Sequence, residues 1–420
     1  MPLPRLAAPD VAPVRQYLPS DHLADVRGET RQRLLDFGLP QKIKPGSRIA
    51  ITAGSRGIGG FIELLSGIAD AVRQCQAEPF LIPAMGSHGG ATAEGQHEIL
   101  KRLGVNETAL NVSVMATMET VALGTAANGA VAHFDQQAFE ADGVIVLGRV
   151  KTHPESAGEL ASGLLKMATI GLGKQRGAHE AHSHGLWNSV RAVPKLQLAA
   201  GKILCGVAVV ENGYRQPVVV EVVPPVYDAF LEADQRLLQI AKGHLATLPF
   251  TDLDVLVVDE LGKNISGAGM DPNIIGQWRI KGGPHVPDYR RIVVLSLTAP
   301  SLGNGIGIGL ADFTTRRFAE AWDPAVSYVN ILTASEPGGN TREGPMPLAL
   351  DSDREAIEIA LFSSLAGSAP RLCRIRNTDA LDELWVSAAL LDEVRQHPKL
   401  SLLAEPAPMN FDSAGNLLQH

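Results

Sequence analysis

Between Gly148 and Leu186 the chain reads GRVKTHPESAGELASGLLKMATIGLGKQRGAHEAHSHGL, and this run gathers His153, the Ser162–Gly163 pair, Lys166 and the imidazoles of His179, His182 and His184. Lys166 stands among Leu164, Leu165 and Met167. A lysine in such a setting can have its ammonium form disfavoured and become a nucleophile. The same pattern also describes a helix lysine whose stem lies on apolar surface while its amine reaches water. The spacing His179-x-x-His182-x-His184 offers imidazole nitrogens that suit zinc, nickel, copper or iron. Glu180 is the one adjacent carboxylate, and the pattern by itself does not specify a metal.

Two earlier loops carry further candidates. In AGSRGIGGF, glycines at positions 54, 57, 59 and 60 surround Arg56, whose planar fork suits a carboxylate or phosphate. A strand–glycine loop–helix unit also turns backbone N–H groups toward an anion. As a dinucleotide fingerprint it is poor, because no acidic residue ends the following strand. In PAMGSHGGATAEGQ, His88 is flanked by glycines that allow close approach of a ligand, and Thr92 is the expected cap of the next helix. His88 and His153 both titrate near neutrality, so on opposite sides of one carbon they could move protons on either face. An epimerase or racemase needs that arrangement.

The elements that must position these loops alternate strand and helix. Strands are expected at Arg48–Thr52, Pro79–Pro83, Gly143–Gly148, Lys202–Val210 and Val218–Val223, with helices over Ile58–Cys75 and Pro225–Ile240. That order predicts an α/β fold of mostly parallel, doubly wound sheets, whose strand carboxyl ends converge on one crevice. Near Pro249 the pattern restarts with strands at Val255–Asp259 and Arg291–Leu297. Two domains are therefore expected, residues 1–245 carrying the lysine and histidine loops, and a smaller one over 246–420, with the active site in the cleft between them. Tyr328–Leu332 reads as a strand, Asp351–Leu365 and Thr378–Arg395 as helices, residues 1–46 as irregular apart from a helical patch, and Asn410–His420 as a frayed end.

Bulk properties narrow the classes of function. Of the 420 residues 45% are hydrophobic and 20% charged, the profile of a globular protein, and the net charge of −8 argues against nucleic acid as the main partner. The three cysteines are isolated in sequence, which argues against a disulfide scaffold. With neither a signal-like segment nor an apolar run of membrane-spanning length, a cytoplasmic location is expected.

Taken together, GSRGI, MGSHGG, His153 with the following Ser-Gly-x-x-Lys, and the downstream histidine resemble the nickel-dependent lactate racemase family, which uses a nickel-pincer nucleotide. The resemblance implies that Lys166 carries the cofactor as a thioamide, with Ser162 and Gly163 beside it, and that His182 rather than His179 or His184 completes the nickel site. It implies His88 and His153 as the acid/base pair and Arg56 as the contact to the substrate carboxylate. The reaction implied is racemisation or epimerisation of a 2-hydroxy acid by hydride abstraction and return, and the partners implied are the cofactor-assembly and nickel-insertion enzymes. The chain departs from the family in three places, the first being a slightly longer segment between His153 and Lys166. His88-Gly89-Gly90 replaces His-Arg-Pro, and in GMDPNIIGQWR the Tyr-Gln pair becomes Ile275 and Gly276, with Arg279 at the lysine position and so a cofactor contact. Those changes point to a larger or more polar hydroxy acid than lactate. Two other readings compete: a metal-free nucleotide-dependent oxidoreductase, favoured by the glycine loop at 54–60, and a non-catalytic ligand-binding homologue.

Overall fold

The structure is a computed structural model that describes residues 3–55, 57–152, 159–276, 279, 286–334 and 341–418. The chain divides into two compact units, residues 19–245, and residues 1–18 together with 246–420. The first eighteen residues, grouped by sequence with the first domain, thus belong with the second. Their strand β1 (Val11–Gln16) has alternating buried positions and supplies the apolar face of Ala12 and Val14 to that unit's core.

The unit over 19–245 is built on six strands: β2 (Arg48–Ala53), β3 (Glu78–Pro83), β4 (Ser113–Val114), β7 (Gly143–Arg149), β8 (Ile203–Glu211) and β9 (Pro217–Val223), while β5 (Thr120–Thr125) and β6 (Val131–Asp135) form a separate hairpin. The sheet order is β4-β3-β2-β7-β8-β9, with every pair parallel except β8 with β9. The central strands are buried along nearly their whole length, as parallel strands covered on both faces must be. Alternate side chains point into two cores. Ile49, Ile51, Ile145 and Leu147 meet the helix Phe61–Gln74 on one side, while Ala50, Val144 and Val146 meet the helices Leu186–Ala199 and Tyr227–His244 on the other. From β2 the chain winds outward through β3 to β4, then returns to the other side of β2 as β7. That reversal is a topological switch point, where open α/β sheets leave a crevice beyond the strand carboxyl ends.

The second unit holds β10 (Asp252–Leu261), β11 (Asp288–Leu297), β12 (Phe313–Thr315), β13 (Leu348–Leu350), β14 (Leu372–Asn377), β15 (Ala380–Ser387) and β16 (Leu400–Leu402). With β1 they make an eight-stranded sheet, β13-β12-β11-β10-β14-β15-β1-β16, parallel from β13 to β14 and antiparallel beyond. Three expectations fail here. Thr378–Arg395 is a strand, β15, followed by the short helix Leu391–Gln396, because Asn377 turns the chain back on β14 by accepting from the Asp379 and Ala380 amides. Tyr328–Leu332 lies in the helix Pro324–Ala334, started by Asp323, whose side chain accepts from the Ala325 and Val326 amides. This start signal outweighs the β-branched residues of the run. The tail is ordered through Leu418: Leu417 is buried and its amide donates to Asp353 at 2.8 Å. Among the described residues no helix is long and apolar enough to cross a membrane.

Between β10 and β14 the sheet buries an ion pair. Arg374 donates to both carboxylate oxygens of Asp259 at 2.9 Å and stacks 4.6 Å from the Trp385 ring centroid. Burial nevertheless pushes the Asp259 carboxyl above its ordinary value, and the Arg374 bonds only oppose that. Removing one partner should be worse than removing both. Arg374→Ala is expected to lower stability by about 3–5 kcal/mol, and the double variant Asp259→Leu/Arg374→Met to recover most of that loss, as read from urea unfolding.

Candidate active site

The three loops of interest leave β2, β3 and β7, which are neighbours in the sheet. The loop after β3 turns at Gly89, whose φ of +69° and contact with the Gly95–Gln96 backbone leave no room for a side chain. It presents the exposed His88. His88 Nδ1 lies 2.7 Å from the Met85 carbonyl oxygen, which can only accept, so the neutral ring carries its lone pair on Nε2. Thr92 caps the next helix as expected, accepting from the Gly95 amide at 3.0 Å.

Lys166 ends a short helical turn, Leu164–Lys166, that runs into a π-helical turn, Met167–Leu172, and then the helix Lys174–Ser183. π-Turns often mark functional positions, because they re-aim side chains out of the regular helical register. The turn is held from below by Asp234, which accepts from the Leu164 and Leu165 amides at 2.8 and 3.0 Å. Gly163 makes this possible, since a Cβ there would lie 2.3 Å from the carboxylate. Burial pushes the Asp234 carboxyl up to about 6, against the two amide donors. Lys166 is half-buried with its amine 5.7 Å from the Trp187 ring centroid, so it matches neither a fully desolvated lysine nor a solvated one. Ser162 exchanges backbone hydrogen bonds with Lys151 at 3.1 and 3.2 Å.

His182 has a buried Nδ1 without a hydrogen-bond partner. Burial lowers its pKa below the ordinary histidine value, and the nearby Lys166 ammonium and His179 add to that. The ring is therefore neutral near pH 7, the form in which imidazole binds metals. His179 and His184 are exposed, and His184 Nδ1 bonds the Glu180 carbonyl at 3.0 Å. Among the described residues no three His, Cys, Asp or Glu side chains are grouped to hold a metal.

Arg56 and His153 lie outside the described residues. The loop around Arg56 is clamped at its base: Glu211 accepts from the Gly59 amide and, at 2.7 Å, from Arg149, which also donates to the Gly57 carbonyl at 3.3 Å. Arg279 belongs to the other unit, where its guanidinium donates to the carbonyls of Tyr289 at 2.6 Å and Leu310 at 3.0 Å and pairs with Asp312 at 3.4 Å. It thereby ties together its own unit.

The residues that sequence reasoning missed are the buried ones. Lys174 is fully buried and donates to the Pro83 carbonyl and to Gln96 Oε1, both at 2.7 Å, with Asp135 at 3.5 Å. Burial pushes Lys174 down and Asp135 up, and their mutual attraction opposes both shifts. The apolar-setting argument applied to Lys166 describes Lys174 better. The preceding Gly-Leu-Gly was the only local hint, since tight packing around a helix favours small neighbours.

Neither the protein-family models nor the curated proteins contain a match to this chain. Among solved structures it is similar to the lactate racemase apoprotein from Thermoanaerobacterium thermosaccharolyticum, with a TM-score of 0.44 and 14% identity over 85% of this chain and 86% of that one, a distant likeness.

Two expectations follow from the Asp234 contact. Gly163→Ala should displace the carboxylate from both amides and lower stability by about 1–3 kcal/mol, measured by chemical denaturation. Asp234 titrates near 3.8 when unfolded and about 6 when folded, so the folded state binds more protons in between. Its contribution to stability should be fully present below pH 4 and fall by roughly 3 kcal/mol as pH rises to about 6. The stability difference between the wild type and Asp234→Asn is expected to show that decline; a flat difference would refute the assigned burial cost.

Proposed function

We propose that this protein is an isomerase, a racemase or epimerase of a 2-hydroxy acid that works with a nickel-pincer nucleotide. What supports the reading most is the adjacency of β3, β2 and β7, the strands whose following loops carry His88, Arg56 and His153 in sequence. His182 supplies the second support. It is a neutral imidazole with an orphaned buried nitrogen, close enough to Lys166 to feel its charge, and it lacks companion protein ligands among the described residues. A metal with most of its coordination supplied by an organic group fits such a site. When bound, that group supplies a centre able to accept and return hydride.

Each residue then has a defined task. The Lys166 amine tethers the cofactor, with Ser162 and Gly163 alongside, and His182 ligates the nickel. Arg56 holds the substrate carboxylate through a paired hydrogen bond. His88 accepts the hydroxyl proton at Nε2, the nitrogen that its bond to Met85 leaves as the basic one. His153 performs the same service on the other face, so that a proton can be taken and returned on either side. Ile275, which stands where the family has a tyrosine, is fully buried in the core of the second unit and takes no part in this assignment.

Protein co-expressed with the cofactor-assembly and nickel-insertion enzymes is expected to carry added mass, which Lys166→Ala abolishes together with racemisation. His88→Ala should lower kcat by about 10²–10⁴. With a 2-hydroxy acid deuterated at Cα, chiral analysis should find the label retained in the inverted product. Wash-in of solvent hydrogen would point to a carbanion route, and an unmodified Lys166 in nickel-free, inactive protein would sink the proposal.

A further inference from the structure

The β3 loop has little apolar content of its own, yet His88 is held in one tautomer. Its support comes from Gln96, whose side chain is fully buried. The Gln96 amide donates to the carbonyl of Gly86 at 2.8 Å and of His88 itself at 3.2 Å, and its oxygen accepts from Lys174 at 2.7 Å. Since the Gln96 amide nitrogen faces two carbonyls, only its oxygen can face the Lys174 ammonium, and the orientation of the amide is fixed. Lys174 is fixed in turn by the Pro83 carbonyl, where β3 ends, and by Asp135, where β6 ends. Its backbone has a φ of +55°, unusual for a lysine, at the junction where the π-turn after Lys166 gives way to the helix bearing His182. Strain of this kind persists only where surrounding contacts over-determine it.

We propose that Lys174 is a positioning residue for His88, which, acting through Gln96, locks the histidine loop to the segment that carries Lys166 and His182. The proposal rests on His88 being the acid/base group, but its mechanical content does not. Lys174 never meets the substrate. It holds the His88 and Gly86 carbonyls in place at second hand, and the loop geometry keeps the His88 Nδ1–H on Met85.

The test reads the histidine directly. In protein labelled with ¹⁵N-histidine, long-range ¹H–¹⁵N spectra distinguish the two ring tautomers, and His88→Gln identifies the His88 signals. Wild type is expected to show the Nδ1–H form; Lys174→Met and Gln96→Leu should both convert His88 to a mixture. Hydrogen exchange of the amides over residues 84–92 should quicken by roughly tenfold to a hundredfold in both variants, the range expected when a buried carbonyl loses its donor. Exchange in the second unit should be unchanged. Gln96→Leu leaves Lys174 its bonds to Pro83 and Asp135, so its near-ultraviolet circular dichroism should match wild type. An unchanged tautomer and unchanged loop exchange in a folded variant would overturn the proposal. So would global unfolding of both variants, since the network would then be a folding element alone. These readouts need no turnover: failure of every 2-hydroxy acid to racemise would leave them standing. In an active enzyme the variants should lower kcat more than they raise KM, and a change confined to KM would count against the positioning role.

Discussion

Lys174 is fully buried, and an unpaired ammonium there would cost several kcal/mol, so the fold around it has to supply acceptors. It does so from three places far apart in sequence: the end of β3, the helix after it, and the end of β6. Those places cannot drift apart without leaving the charge unpaired. A single cation therefore ties the lysine segment, the histidine loop and the small hairpin into one arrangement. Ordinary apolar packing could bring these elements together, but its lack of directionality would not fix their register.

The same device recurs under the other loops. Asp234 reaches from the helix Tyr227–His244 to the amides that begin the Lys166 turn, and Glu211 with Arg149 clamps the base of the Arg56 loop. Glycine-rich loops suit close approach to a ligand but bring few side chains with which to anchor themselves. Here the anchoring comes from buried charged groups of neighbouring elements that bond to loop backbone. The cost is visible in the shifts of Asp234 upward and Lys174 downward, both caused first by burial. Stability is given up locally so that the loops hold one geometry.

The second unit shows what such pairs do away from the loops of interest. Arg374 and Asp259 join β10 to β14 across that sheet's own reversal point, and Arg317 bonds the buried Asp353, which also receives the Leu417 amide of the tail. Arg279 likewise bonds to the Tyr289 and Leu310 carbonyls within its own unit. In the second unit the Arg374–Asp259 pair lies where the parallel strands change winding direction, and in the first the buried charges bond backbone groups that apolar side chains cannot satisfy.

Much of this was legible in the sequence wherever a local signal decides the outcome. Apolar runs set β2, β3, β7 and β8, and with them the α/β alternation, to within a few residues; Thr92 announced its cap, and the glycines around His88 announced an open loop. Where two local signals conflicted, as in Thr378–Arg395 and Tyr328–Leu332, hydrogen bonds from Asn377 and Asp323 decided, and apolar content misled. The pairing of β1 with β15, the burial of Lys174 rather than Lys166, and the partners Gln96, Asp135 and Asp234 were not legible at all. Sequence by itself determined which residues could do chemistry and which strands would carry them. Tertiary structure alone decided which charges are buried and what holds each loop, because burial is set by residues tens of positions away and leaves no periodic trace in the chain.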